Sequence, residues 1–222
     1  MMKKLLGLAM LASAATVGTT GVAAAEGTVT ANVALTSNYV WRGITQSDGE
    51  FAVQGGADYT NGMFYAGAWA SSVDDFGADA SAELDLYAGV TPTLGPVTFD
   101  LGVVGYFYPG ADDLDFFELK AGASISPTEA LSLGAVAFAT DEFGGDGGDE
   151  ALYLEANAAF ALSDAFGISG AVGNQEVGDD DYTTWNIGAS YAFHGFGFDL
   201  RYHETDIDDA DEEISFTISR EL

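Results

Sequence analysis

Val29, Ala31, Val33, Leu35, Tyr39 and Trp41 share one phase of a period-two alternation, and Thr30, Asn32, Thr36, Asn38 and Arg42 share the other. That pattern describes a β-strand with one apolar and one polar face. It predicts a strand over 28–41, longer than strands of soluble domains usually run. The apolar phase closes on Tyr39 and Trp41, ring types that settle where hydrocarbon meets water. Gly43 then turns the chain into a polar loop.

The same design repeats to the last residue. Alternating segments are expected near 51–60, 63–73, 80–91, 97–108, 114–126, 131–140, 150–163, 166–177, 183–194, 196–206 and 213–221, with turn signals between them. In the clearest, Leu152, Leu154, Ala156, Ala158, Phe160 and Leu162 alternate with Glu155 and Asn157, and Trp185, Ile187, Ala189, Tyr191 and Phe193 with Asn186 and Ser190. Segments 63–73 and 131–140 are mostly Ala and Gly and leave their phase open. About twelve strands of this length suit tilted crossings of a bilayer. An apolar outer face on so many strands cannot be solvated, and unpaired edges are forbidden in lipid, so the sheet has to close. The expected fold is all-β: a closed antiparallel up-and-down transmembrane β-barrel of about 12 strands. A soluble lipid-binding barrel with its apolar face inward is the alternative, but such barrels use about eight strands.

The connections alternate as well. Segments 43–50, 74–79, 109–115, 140–150, 178–181 and 205–213 are polar and hold most of the chain's 35 carboxylates, Asp75, Asp79, Asp146 and Asp180 among them. The connections at 60–62, 92–96, 127–130, 163–165 and 194–195 are tight and hold only Glu129 and Asp164. In an antiparallel meander alternate connections lie at opposite ends, so one rim is looped and acidic and the other short. Outer-membrane barrels are built that way, with short periplasmic turns and longer external loops.

Composition narrows the reading further. Lys3 and Lys4, the apolar run Leu5 to Ala15 and the small residues Ala23 to Ala25 form a secretory signal, giving a cleaved segment 1–25 and a barrel over 26–222. The chain then belongs in the outer membrane of a Gram-negative bacterium, against outer-membrane lipid and lipopolysaccharide. A net charge of −29 repels phosphate backbones and excludes nucleic acid as a partner. No cysteine is present, so there is no disulfide or thiolate site.

Candidate chemistry lies on the polar phase. Asp58, Glu83, Asp85, Asp100, Glu118, Glu155 and Asp199 face inward against Arg42, Lys120 and Arg201, a set that either fills the barrel as a structural network or selects solutes by charge. The small inward residues Gly56, Gly102, Gly122, Gly188 and Gly197 leave room for water. Tyr39, Trp41, Trp185, Tyr191 and Phe193 are the candidate aromatic girdle. The acidic loops offer weak Ca2+ or Mg2+ binding at most, and the stretch Gly144 to Glu150 occurs once rather than in a stack. No cofactor, metal site or catalytic residue is expected: His194 and His203 are the only histidines, and no nucleophile motif flanks a serine.

The segment Ser37 to Asp74 resembles the opening of the TorF family of porins from Gram-negative bacteria. The matching residues are Asn38-Tyr39-Val40-Trp41-Arg42-Gly43-Ile44-Thr45-Gln46-Ser47-Asp48, then Gln54-Gly55-Gly56 with Asp58-Tyr59, Tyr65-Ala66-Gly67, and Trp69 to Val73. The resemblance implies an outer-membrane barrel that conducts small solutes, and it assigns no catalytic residues. The function expected is passive diffusion of small hydrophilic solutes or ions, weakly favouring cations. The alternative is a closed barrel acting at the surface through its acidic loops.

Overall fold

The computed structural model describes residues 22–24, 27–74 and 80–222. Twelve long strands alternate around a single closed sheet: β1 (Gly27–Thr36), β2 (Ala52–Asn61), β3 (Phe64–Ser72), β4 (Ala82–Val90), β5 (Val97–Phe107), β6 (Phe116–Ile125), β7 (Leu131–Thr140), β8 (Ala151–Ala161), β9 (Phe166–Val177), β10 (Asp180–Phe193), β11 (Phe196–Thr205) and β12 (Glu213–Glu221). Each pairs antiparallel with its neighbour in sequence. β1 pairs on one side with β2, Thr36 opposite Ala52, and on the other with β12, Thr36 opposite Thr217. The meander therefore meets its own beginning, and no edge is left among these twelve strands.

The outer surface is what the alternation dictates. Phe117 and Leu119 are 58% and 68% exposed, while Glu118 between them is 1% exposed. Leu154, Val172, Ile187 and Leu200 stand outward in the same way. In an aqueous protein such a skin would be untenable; against hydrocarbon it is the favourable face. The two segments of open phase resolve: Phe64 is outward and Trp69 inward on β3, while Leu133 is outward on β7. On the outer face near the short-turn end, Phe166 stacks on Tyr191 at 4.4 Å, with Phe193 and Phe198 alongside.

The first strand departs from expectation. β1 ends at Thr36, and the chain bends at Ser37 into loop 37–51, which folds inward rather than continuing the wall. Inside the loop Val40–Trp41 pairs with Ile44–Thr45 as a miniature hairpin. Its two-residue turn, Arg42 (φ 49) and Gly43 (φ 84), has the paired positive φ of a type I′ turn. The expected signal segment lies outside the described residues except Val22–Ala24, which pairs with Gly27–Val29. Asp75 and Asp79 of the second polar loop are also outside them.

Candidate functional site

The alternation turns one side chain in two toward the lumen, and the inward set separates into an outer and a lower tier. The outer tier is filled by loop 37–51. The hairpin tip places the Arg42 guanidinium against Glu118 of β6 in a two-pronged pair, Nη2 to Oε2 at 2.6 Å and Nη1 to Oε1 at 2.9 Å. Nη1 also donates to Gln175 Oε1 of β9 at 2.7 Å. The rings of Trp41 and Tyr153 stand 4.3 Å from the guanidinium carbon. Burial pulls the Arg42 guanidinium down, but the charge of Glu118 and its hydrogen bonds outweigh that and hold the group above its ordinary value. Arg42 is thus a permanent cation within the mouth, and its left-handed backbone is strain that the pair offsets.

The rest of the loop reaches other staves. Tyr39 donates to Glu83 Oε1 of β4 at 3.1 Å, and its ring packs edge-on to Trp69 of β3 at 5.4 Å. Burial first, then the charges of Glu83 and Asp85, push the Tyr39 phenol well above its usual range, so it stays a donor. Asn38 Nδ2 donates to Glu213 Oε2 of β12 at 2.6 Å. Tyr182 of β10 donates to the Arg42 carbonyl at 3.2 Å. Trp41 stacks on Phe143 of loop 141–150 at 5.9 Å and lies against Tyr106 of β5 at 5.6 Å. The buried cluster of Val104, Tyr106, Tyr108, Ala111, Phe116 and Ala80 is the wall beneath these rings.

The lower tier is built differently. Lys120 Nζ meets Asp100 Oδ2 at 2.5 Å, and Tyr65 donates to the other oxygen of Asp100 at 2.7 Å. Tyr87 donates to Asp58 at 2.6 Å. Arg201 holds Asp199 at 3.2 Å, Asn186 at 2.6 Å and Ser169 at 2.8 Å. Glu155 accepts from Tyr153 at 2.8 Å and Asn157 at 3.0 Å. Every one of these bonds joins strands no more than two apart. They run along the wall, whereas loop 37–51 ties β4, β6, β9, β10 and β12 across the bore.

The ten ionisable residues expected to line the interior all face inward, nine from strands and Arg42 from the loop. The pairing differs from a simple juxtaposition of cations with Glu83, Asp85, Glu118 and Glu155. Arg42 does take Glu118, but Lys120 and Arg201 pair with Asp100 and Asp199. Asp58, Glu83, Asp85 and Glu155 are left without a cation among the described residues, and Asp85 Oδ1 is buried with no hydrogen-bond partner. Of the expected girdle, Trp185 (41% exposed) and Phe193 (53%) are outward with Tyr191. Tyr39 and Trp41 are not: Tyr39 is 3% exposed and Trp41 is stacked inside the mouth, because the chain turns inward before reaching them.

Sequence reasoning missed the inward tyrosines 65, 87, 106, 153 and 182, together with Gln175 and Trp69. Their signal was present: Tyr153 shares the phase of Glu155 and Asn157, and Tyr106 is two-periodic with Asp100. His203 and Ser215 do meet, Nε2 to Oγ at 3.1 Å, but on the inner face at the looped end. Among the described residues no three or more His, Asp or Glu side chains converge to hold a metal.

A family model described as a bacterial protein of unknown function (Gcw_chp) matches residues 20–220. No curated protein sequence matches the chain. Among solved structures, the KdgM porin in complex with disordered oligogalacturonate superposes with a TM-score of 0.62 at 7% identity, covering 87% of this chain and 98% of that one. The NanC porin superposes with a TM-score of 0.58 at 10% identity, covering 86% and 97%. At these identities the likeness is one of fold: a twelve-stranded closed antiparallel barrel.

Proposed function

We propose that this chain, which belongs to the Gcw_chp family of bacterial proteins, is a porin-like channel of the outer membrane that passes small hydrophilic solutes and ions with a modest preference for cations. The fold of KdgM and NanC supports the channel reading, and the resemblance of Ser37 to Asp74 to the TorF porins points the same way. The apolar skin and the looped acidic rim agree with outer-membrane lipid around the barrel and lipopolysaccharide at its outer end.

One observation carries the cation preference. The three inward cations are each held by a carboxylate, and Asp58 and Glu155 have no cation beside them among the described residues. Fixed charge in a narrow water column is poorly screened, so the surplus sign attracts its counter-ion into the bore. KdgM was solved with an oligogalacturonate, a polyanion. The surplus of acid here opposes such a solute and favours neutral or cationic ones. Reversal potential of the purified protein in a planar bilayer under a potassium chloride gradient tests this. A potential of the sign set by potassium is expected, and a potential set by chloride overturns it.

A further inference from the structure

We propose that Arg220 binds the headgroup phosphate of an anionic phospholipid in the periplasmic leaflet. The inference rests on the outer-membrane placement of the barrel and not on whether its lumen conducts.

Arg220 is the exception among the chain's cations. Lys3 and Lys4 fall outside the described residues, and Arg42, Lys120 and Arg201 face inward, each against a carboxylate. Arg220 instead shares the phase of the outward Ile214 and Phe216 and is exposed on the lipid side of the wall. It stands at the short-turn end of β12, opposite Phe196, the first residue of β11 after the turn at His194-Gly195. Its guanidinium carbon lies over the Phe196 ring, 4.8 Å from the ring centre. Among the described residues no hydrogen bond or ion pair engages its N–H donors.

Height decides what an outward arginine meets. At mid-membrane a cation on the lipid face is strongly destabilising, whereas near the interface it costs little and its long stem carries the charge to the headgroups. Phe193 pairs with Phe196 across the same turn, and Tyr191 and Phe198 stand beside Phe193, an aromatic patch of the kind that settles at that interface. A guanidinium lying over a ring keeps its N–H donors at its edge, and that edge matches two oxygens of one phosphate. Charge then narrows the lipid. A phosphate in a headgroup without an amine keeps its whole charge for Arg220, so an anionic phospholipid is preferred to a zwitterionic one. The other rim carries the acidic loops 141–150 and 206–212, which repel the same headgroup and leave the short-turn end as its place.

Native mass spectrometry of the purified, folded barrel tests the site, with phosphatidylglycerol and phosphatidylcholine of the same acyl chains titrated in detergent. Wild type should retain phosphatidylglycerol severalfold more tightly. Arg220→Gln should lose that preference, and Arg220→Lys, which keeps the charge but not the fork, should retain part of it. Ala210→Glu makes the same change of net charge in an exposed loop at the other rim and should bind as wild type does. Heat-modifiable gel mobility verifies folding of each variant, and Arg220→Lys carries the comparison should Arg220→Gln not fold. An unchanged preference in Arg220→Gln, an equal loss in Ala210→Glu, or equal retention of both lipids by wild type overturns the site. Displacement of the lipid by millimolar inorganic phosphate would assign Arg220 to the free anion and overturn the lipid reading. Each of these outcomes leaves the channel reading standing, because Arg220 does not line the lumen.

Discussion

Arg42 shows how much one side chain can organise. It is a long cation on a left-handed backbone, 4% exposed, paired two-pronged with a Glu118 that is itself buried. Breaking a buried pair on one side leaves a bare charge and costs on the order of 3–5 kcal/mol. In Glu118→Gln the cheapest escape is for the hairpin to leave and let water solvate the guanidinium. Trypsin cuts after arginine, so wild-type folded barrel should resist at Arg42 while Glu118→Gln is cleaved there, with the barrel still heat-modifiable. Equal resistance would show that the pair does not hold the loop. This residue was named from sequence as an inward cation, which it is, but its neighbours were misplaced. Tyr39 and Trp41 keep the apolar phase of the strand, and period two does not say which wall a chain faces after it bends. The signal that distinguishes them is Ser37, a polar residue on the apolar phase, where the chain turns.

At the level of elements the alternation was a better guide, because in a closed barrel both faces of each strand have distinct solvents. Strands β7, β9 and β12 span 131–140, 166–177 and 213–221, as the pattern predicts, and the others shift by a few residues at their ends. The exception is β1, which stops five residues short of the expected Trp41 because its inward hairpin alternates like a strand. The Ala- and Gly-rich β3 and β7 were unreadable in phase, since methyl and hydrogen side chains carry little preference for either face. The face assignment has a direct test in β8. Leu154 is 48% exposed on the outer wall, whereas Asn157 faces inward and bonds Glu155. Leu154→Arg should destabilise the folded barrel by about 2–4 kcal/mol near the membrane midplane, and Asn157→Arg should fold normally. Urea titrations in detergent or liposomes, read by heat-modifiable mobility, compare the two. Equal tolerance would reverse the faces.

For the whole molecule the decisive asymmetry is between the rims. Loops 37–51, 108–115, 141–150 and 206–212 share one end with the acidic residues, and the tight turns share the other. Cysteines at Asp146 and Asp180 should therefore label on intact cells, and one at Gly95 should not; labelling at Gly95 alone would invert the barrel. The same asymmetry separates two sources of cation preference. Rim carboxylates are solvated and act through a potential that fades over about 10 Å at 0.1 M salt and about 3 Å at 1 M. Asp58 and Glu155 lie inside the wall, hydrogen-bonded to Tyr87 and to Tyr153 and Asn157, where counter-ions screen them less. Raising potassium chloride from 0.1 to 1 M at a fixed gradient ratio should shrink the cation preference without abolishing it. Asp58→Asn/Glu155→Gln should remove most of what survives at high salt, because it deletes two inward carboxylates that have no cationic partner among the described residues and leaves every ion pair intact. Glu118→Gln, by contrast, frees a cation and should move selectivity toward anions. A double variant that retains the full high-salt preference would place the selecting charge elsewhere than on these inward carboxylates.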